Sequence, residues 1–242
     1  MAARLRAPRP GDEINMPSYT FVSTANAFVL RGARNVFVDS TEQSPHLDPD
    51  QIECVITPKT KAIIPVHIYG LAADMDAVMA LADAHGLKVI EDCAQATGAR
   101  YGERRVGSIA DAGCFSFYPT KNLGCAGDGG IIVTNSPELA EKLRSLKAHG
   151  AKVKYYHDIV GYNSRLDTIH AAILLAKLPH LDRWTETRRR NAEYYSRRLE
   201  QTELKRPQAM NYAYHIYNQY TIMTDRRDEL RDYLSTRKIG YE

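Results

Sequence analysis

The amino-acid sequence predicts an α/β protein with a three-layer αβα large domain built on a mainly parallel sheet. Short apolar segments of strand length alternate along the chain with longer segments whose apolar residues recur at helical spacing. Strands that are apolar throughout are typical of parallel sheets with helices on both faces. After Pro207 the composition becomes tyrosine-rich, which indicates an incomplete small C-terminal α+β domain. We therefore predict a large domain over residues 1–185 and a partial small domain over residues 186–242.

Composition and charge limit the function classes to which the chain can belong. Of its 242 residues, 44% are hydrophobic and 25% are charged, which is ordinary for a soluble globular protein. A net charge of +3, without a stripe of basic and aromatic residues, argues against a nucleic-acid partner. No apolar stretch is long enough to predict a membrane span, and the N-terminal segment lacks the apolar core of a secretory signal. The four cysteines lack CxxC spacing, so we predict reduced thiols in a cytoplasmic protein without a metal site.

The first half of the chain is predicted to alternate between strands and helices. Five short apolar runs predict strands at residues 33–39, 61–67, 87–92, 113–118 and 130–134. Helices are predicted over residues 48–56 and 73–85, because apolar residues recur there at helical spacing. Gly86 marks the end of the second of these helices.

The second half is predicted to be mainly helical. Ser136 as the N-cap and Pro137 at the first helical position predict a helix that runs to about residue 146. Three more helical patterns follow, over residues 166–178, 182–200 and 227–238. Between the last two, residues 212–220 carry tyrosines at alternating positions, which predicts a strand of the small domain.

Two charged side chains are predicted to lie close together at the carboxyl edge of the sheet. Asp92 ends one apolar run, and Lys121 stands just past the end of another, about one crossover unit later. This edge is where open α/β sheets bind ligands. An aspartate and a lysine in one crevice suit pyridoxal phosphate. The amine can form a Schiff base with the cofactor aldehyde, while the carboxylate keeps the pyridine nitrogen protonated.

Other interpretations of these residues stay open at this point. Under one alternative, Lys121 is a solvated loop residue; under another, it forms a structural ion pair with Asp92. The adjacent carboxylates Glu91 and Asp92 could instead bind a metal or act as an acid–base pair. However, neighbouring strand residues point to opposite faces of a sheet, which argues against a task that both carboxylates share.

Ser116 and Gln95 are further candidates for a ligand site. Ser116 lies on the opposite face of its strand from Phe115 and Phe117, and a buried hydroxyl needs a partner, either a cofactor phosphate or a backbone carbonyl. Gln95 is either a surface side chain or a donor to the phenolic oxygen of the cofactor. The glycine-rich segment 124–130 lacks the strand–GxGxxG–helix context of a dinucleotide site, and we interpret it as a tight turn.

Six short segments carry a specific combination of residues. They are PGDEI at 10–14, PSYTFVSTAN at 17–26, IPVHIYG at 64–70, IEDCAQA at 90–96, FSFYPTKNLG at 115–124 and GYNSRLD at 161–167. With these segments in this order and spacing, the chain resembles the DegT/DnrJ/EryC1/StrS family of pyridoxal-phosphate-dependent sugar aminotransferases, which has fold type I of the aspartate aminotransferase superfamily. The resemblance extends from about residue 10 to the C-terminus.

The resemblance implies a role for each residue around the cofactor. Lys121 would be the Schiff-base lysine and would shuttle the proton during amino transfer. Asp92 would contact the pyridine nitrogen, and Gln95 the phenolic oxygen of the ring. Ser116 would bind a phosphate oxygen, and Phe21 would stack on the face of the cofactor ring.

The resemblance also implies a substrate and a partner. Asn163 would reach the phosphate from the neighbouring subunit of a homodimer with a shared active site, and Arg165 and Tyr118 would meet the substrate. The reaction would move an amino group, from glutamate, to a nucleotide-linked keto sugar by a ping-pong Schiff-base mechanism. Such reactions belong to the biosynthesis of polysaccharide or antibiotic sugars.

The resemblance further predicts that the chain is shortened at both ends. Family members carry more residues before the PGDEI segment, including a Ser/Gly-Thr motif whose backbone amides bind the cofactor phosphate. They also continue beyond residue 242 into the rest of the small domain. The alternative prediction is therefore a truncated, non-catalytic remnant of the family, or a fragment that dimerises without activity.

Overall fold

The computed structural model describes residues 2–4, 9–41, 44–208 and 210–241 of the chain. The α-helices in these ranges are α1 (Val22–Val29), α2 (Pro49–Cys54), α3 (Met75–His85), α4 (Pro137–Lys147), α5 (Thr168–Lys177), α6 (Leu181–Arg198) and α7 (Arg227–Thr236). The strands are β1 (Glu13–Pro17), β2 (Arg34–Val38), β3 (Thr60–Ile63), β4 (Lys88–Asp92), β5 (Arg100–Tyr101), β6 (Arg104–Arg105), β7 (Ala112–Ser116), β8 (Gly130–Val133), β9 (Ala151–Val153), β10 (Tyr156–His157) and β11 (Ala213–Tyr214).

Six strands form the central sheet in the order β2-β1-β3-β4-β7-β8. Every neighbouring pair is parallel except β7 and β8, which run antiparallel. The predicted mainly parallel sheet is therefore confirmed. Strand β1 was not predicted, because Glu13 and Asn15 interrupt its apolar pattern, although all five of its residues are buried.

Helices cover both faces of this sheet. On one face, Val89 of β4 belongs to a buried cluster with Ile52 of α2 and Val78 of α3. On the other face, Ile90 of β4 belongs to a second cluster with Phe28 of α1. Since consecutive strand residues point to opposite faces, these neighbours in sequence lie in different layers. The predicted three-layer αβα architecture is confirmed.

Several helix ends follow the sequence signals closely. Ser136 Oγ accepts a hydrogen bond from the Leu139 N–H at 3.2 Å, and Pro137 is the first residue of α4. Helix α3 ends at Gly86, whose φ of 61° is in the left-handed region that favours glycine. Within the described ranges, every helix is too short or too polar to cross a membrane.

The tyrosine-rich segment 212–220 does not form the continuous strand that was predicted. Only Ala213–Tyr214 is a strand, paired antiparallel with β5. Tyr217 has a φ of 47°, and its N–H donates to His215 Nδ1 at 3.2 Å. This local turn ends the ladder, and the Ile216 N–H donates instead to the Gly70 carbonyl at 3.1 Å. Upstream, the predicted domain boundary between residues 185 and 186 falls within α6.

Glu91 of β4 is a buried carboxylate surrounded by donors of its own chain. Its Oε2 accepts from His67 Nε2–H at 3.0 Å and from the Gly107 N–H at 2.6 Å. Its Oε1 accepts from the N–H groups of Ile109 and Ala110 at 2.9 and 2.8 Å. Burial alone would raise the pKa of Glu91, but these interactions, led by the hydrogen bond from His67, hold the pKa below its ordinary value.

His67 and Cys93 complete this buried cluster. His67 Nδ1 accepts from the Ala73 N–H at 3.0 Å, so the ring carries its proton on Nε2, which faces Glu91. Burial raises the pKa of the Cys93 thiol well above its ordinary value, which keeps it protonated. The three side chains offer possible metal ligands within 4.8 Å of one another. The donated hydrogen bonds occupy the lone pairs that a metal would need, so we interpret the cluster as structural.

Replacing Glu91 with glutamine is expected to destabilise the fold strongly. Whichever way the amide is turned, its NH2 group faces two donors of the cluster, so two hydrogen bonds are lost in the core. We expect the free energy of unfolding, measured by urea denaturation at pH 7, to fall by roughly 3 kcal/mol or more. The control is Glu141→Gln, which removes an exposed ion pair with Lys152 and should change stability little. Equal stability of the two variants would contradict this account.

Two buried histidines are expected to make the fold sensitive to acid. Burial lowers the pKa of His46 to about 3 and the pKa of His215 to about 4. Both values lie below the ordinary 6.5, so the unfolded chain binds more protons between pH 6.5 and 4, and stability falls as the pH drops through this window. We expect the urea midpoint to fall steadily from pH 7 to pH 4.5, and to fall less steeply in His46→Gln. His157→Gln, at an exposed position, should keep the wild-type slope, and a flat wild-type profile would refute the prediction.

Candidate active site

Asp92 ends β4 at the carboxyl edge of the sheet. Its Oδ2 accepts a hydrogen bond from Thr24 Oγ1–H at 2.7 Å, and its Oδ1 accepts from the Ala94 N–H at 3.1 Å. Its backbone N–H donates to the Pro65 carbonyl and its carbonyl accepts from the His67 N–H, both at 2.9 Å. A carboxylate offers about four acceptor positions. Asp92 is therefore held in place by its own chain and can still accept a hydrogen bond from a ligand.

A cavity of about 830 Å³ lies on this face of the sheet, between α1, α4 and residues 164–166. Its apolar floor includes Ile64, Ile90 and Ile132. Polar and charged residues of its wall include Thr24, Asp92, Ser116, Arg144, Lys147 and Arg165. Three of the residues predicted from sequence, Asp92, Ser116 and Arg165, thus border one space.

The turn after β7 connects Ser116 to Lys121. The Tyr118 N–H donates to Ser116 Oγ at 3.2 Å, and the Lys121 N–H donates to the Tyr118 carbonyl at 2.9 Å. Because Ser116 accepts this bond, its own proton is available to a ligand. Next to Lys121, the amide of Asn122 is buried, and neither of its polar atoms has a hydrogen-bond partner among the described residues.

A structural ion pair between Asp92 and Lys121 was one of the interpretations left open by the sequence. The ion pairs of the described ranges do not join these two side chains. Lys121 itself is half-buried. The geometry therefore gives no support to the ion-pair interpretation.

The backbone of Tyr69 orients the side chain of Gln95. Gln95 Oε1 accepts from the Tyr69 N–H at 2.6 Å, so the amide NH2 remains as a donor. Tyr69 adopts a φ of 59°, which is strained for a bulky residue and typical of functional sites. Its hydroxyl is hydrogen-bonded to that of Tyr19, and burial, followed by this bond, raises the pKa of Tyr69 to about 12.

The remaining predicted residues are largely exposed. Phe21 immediately precedes α1, and its side chain is 73% exposed. Asn163 Oδ1 accepts from Arg165 Nη2 at 3.5 Å, and Tyr118 is half-exposed. The wall of the cavity, as the described residues form it, does not include Phe21, Tyr118 or Asn163.

Lys121 and Gln95 are likewise not part of this wall. Lys121 is connected to it through the turn that hydrogen-bonds Ser116, and Gln95 follows Asp92 and Ala94 on the segment after β4. The structure thus brings Asp92, Ser116 and Arg165 together directly and places these two residues on the adjoining turns.

The residues of the cavity fit pyridoxal phosphate. Asp92 has acceptor capacity for the pyridine N–H, as the cofactor requires. The hydroxyl proton of Ser116 and the cationic groups of Arg144, Lys147 and Arg165 suit a phosphate. Asn122, which follows Lys121 in the chain, has a buried amide without a partner among the described residues, although it is not part of this wall.

Three of the polar wall residues named above, Thr24, Arg144 and Lys147, were not predicted from the sequence. Thr24 lies in α1, a helix that was not predicted because its small and polar residues show little periodicity. Arg144 and Lys147 lie in α4, which was predicted. Their spacing of three residues places them on one side of that helix. The predicted helix therefore already indicated that these two cationic side chains lie close together.

Comparisons with known proteins agree with the geometry. The sequence matches the model of the DegT/DnrJ/EryC1/StrS aminotransferase family over residues 1–242. It is 52% identical over 234 residues to a pleiotropic regulatory protein of Geobacillus stearothermophilus, covering 96% of this chain and 63% of that protein. It is 49% identical over 240 residues to a UDP-N-acetyl-3-dehydro-α-D-glucosamine 3-aminotransferase of Acidithiobacillus ferrooxidans, covering 99% of this chain and 65% of that one.

A solved structure shows the same fold. The crystal structure of Streptomyces venezuelae DesV, in complex with a ketimine intermediate, has a TM-score of 0.96 and 46% identity to this chain. The match covers 98% of this chain and 65% of that one, so the chain spans a little under two thirds of the length of these relatives. The full-length match to the family model and these similarities show that the chain belongs to the DegT/DnrJ/EryC1/StrS aminotransferase family.

Proposed function

We propose that the protein is a pyridoxal-phosphate-dependent enzyme that moves an amino group from an amino-acid donor, glutamate in our proposal, to a nucleotide-linked keto sugar. The observation that carries this proposal is the cavity that Asp92 and Ser116 share with three basic residues. The wall, which also includes Asp128, thus holds a carboxylate for the pyridine nitrogen and basic groups for the phosphate. Relatives whose names describe nucleotide-sugar aminotransferases support the substrate class.

Each residue has a specific task in this proposal. When bound, pyridoxal phosphate supplies the electron sink that makes amino transfer possible. Lys121 holds the cofactor covalently and moves the proton during transfer, while Asp92 keeps the pyridine nitrogen protonated. The NH2 group of Gln95, oriented by the Tyr69 N–H, donates to the phenolic oxygen. Ser116 donates to the phosphate, and the exposed ring of Phe21 stacks on the cofactor.

Binding of the cofactor through Lys121 is expected to produce a visible absorbance band. Purified protein titrated with pyridoxal phosphate should develop the band of a lysine Schiff base. Lys121→Ala should lack this band, because it removes the amine that forms the bond. Lys154→Ala, which changes an exposed lysine elsewhere, should retain it. A band that survives in Lys121→Ala, or its absence from the wild type, would argue against the proposal.

The substrate side of the site involves Tyr118, Arg165 and Asn163 in this proposal. Arg165 borders the cavity of its own chain, and its guanidinium contacts Asn163, which lies outside the wall. Arg165 pairs with an anionic group of the substrate, and the half-exposed Tyr118 contacts the sugar. Asn163 reaches the cofactor phosphate of a neighbouring subunit.

A homodimer with a shared active site is the proposed assembly. Helix α5 is rich in apolar residues, yet Leu174 is its one buried residue among those described. Ile169 and Leu175 of this helix are 75% and 69% exposed. Exposed apolar surface of this kind is typical of protein–protein contacts, and a second copy of the chain is the partner that we propose for it.

Introducing a charge on α5 is expected to weaken the dimer. Leu175→Asp would place a carboxylate against apolar surface of the partner, and the buried, unpaired charge would oppose association. Light scattering coupled to size exclusion should show a shift from dimer to monomer at micromolar concentration. Lys142→Gln, at an exposed position of α4, is the control. A wild-type protein that is monomeric throughout would contradict the proposed assembly.

We also propose a cytoplasmic location and the division into a large domain, 1–185, and a small one, 186–242. The cysteines are free thiols, three of them buried or half-buried, which suits a reducing compartment. Strand β11 pairs with β5 of the large domain, in a sheet separate from the central one, and α7 after it has no buried residue among those described. The proposed partners are small molecules and a second subunit, with no nucleic acid and no membrane.

A further inference from the structure

Thr24 makes an unusual contact for a threonine inside a helix. Threonine hydroxyls in helices commonly bond a backbone carbonyl one turn earlier. Thr24 Oγ1 instead donates to Asp92 Oδ2 at 2.7 Å, across 68 residues of sequence, and the residue is 6% exposed. The hydroxyl of this buried threonine in α1 therefore donates its only hydrogen bond to the carboxylate at the end of β4.

The direction of the next hydrogen bond follows from this contact. Thr20 Oγ1 and Thr24 Oγ1 lie 2.9 Å apart, and either hydroxyl could donate. An ionised carboxylate only accepts, so the single proton of Thr24 is directed at Asp92. Thr20 must then be the donor to Thr24. The two hydroxyls form a relay in which each bond polarises the next toward Asp92.

This relay and one backbone amide fix both oxygens of Asp92. The Ala94 N–H holds Oδ1 at 3.1 Å, while Thr24 holds Oδ2. With both oxygens bound to different parts of the chain, the plane of the carboxylate cannot rotate freely. Asp92 keeps acceptor positions that neither bond uses, and it borders the cavity together with Thr24.

We propose that Thr24, with Thr20 behind it, is a positioning residue that holds the Asp92 carboxylate in the orientation required by the pyridine nitrogen of the cofactor. This inference rests on the proposed function. It assigns a task to a residue that acts through Asp92 and does not itself bond the reacting atoms.

The test compares cofactor affinity in variants that differ by one hydroxyl. Thr24→Val keeps the shape of the side chain and removes the donor, whereas Thr24→Ser keeps the donor. The dissociation constant for pyridoxal phosphate, measured by absorbance titration without substrate, should rise about tenfold or more in Thr24→Val. It should stay within about twofold of wild type in Thr24→Ser, and Thr20→Val should have an intermediate effect.

A matched control separates positioning from loss of stability. Thr57 Oγ1 donates to Glu13 Oε2 at 2.6 Å, so Thr57→Val removes a similar threonine–carboxylate bond away from the cavity. Thermal unfolding without cofactor should show losses of similar size in Thr57→Val and Thr24→Val. Cofactor affinity should fall only in Thr24→Val.

A double-mutant cycle with Asp92→Asn shows whether Thr24 acts through Asp92. If it does, Thr24→Val should change the dissociation constant little once Asp92 has been replaced. Additive effects of the two changes, or wild-type affinity in Thr24→Val, would overturn the inference and leave the proposed function standing. Failure of the wild-type protein to bind pyridoxal phosphate would overturn both, and this result is recognised in the wild-type titration alone.

Discussion

The alternation of side chains at the carboxyl end of β4 is the constraint on which the candidate site depends. Glu91 and Asp92 are neighbours in sequence, so strand geometry sends their carboxylates to opposite faces of the sheet. Glu91 enters the core and receives four hydrogen bonds from its own chain. Asp92 borders the cavity and keeps acceptor capacity. One fully bonded carboxylate thereby fixes the position of a second one that is available to a ligand.

His67 extends this constraint to the rest of the site. Its ring donates to Glu91, while its backbone N–H donates to the carbonyl of Asp92. Two residues later, the strained backbone of Tyr69 directs its N–H at Gln95. Three features of this region lower the stability of the fold locally. They are the buried charge of Glu91, the left-handed backbone conformation of Tyr69 and the unpaired side-chain amide of Asn122. Such departures from the best local structure concentrate at functional sites, where the surrounding fold holds them in place.

Local signals accounted for much of the fold and for part of the site. The apolar run that ends at Asp92 and the cap at Ser136 depend on nearby residues, and both were predicted. Strand β1 and helix α1 were missed because polar residues interrupt their apolar patterns, while their burial comes from contacts with distant segments. Thr24 was not predicted because its hydrogen-bond partner, Asp92, lies 68 residues away in the sequence. The strand predicted over residues 212–220 was wrong for most of its length. The turn at Tyr217 depends on a contact with the His215 side chain, which the alternation of tyrosines in the sequence does not reveal.

The most direct test of this account is to find which residue the cofactor reaches. Protein mixed with pyridoxal phosphate would be reduced with borohydride, which makes a Schiff base permanent, then digested and analysed by peptide mass spectrometry. A single major label is expected on Lys121, and it should be lost in Lys121→Ala and weakened in Asp92→Asn. Labels spread over exposed lysines, with no preference for Lys121, would contradict it.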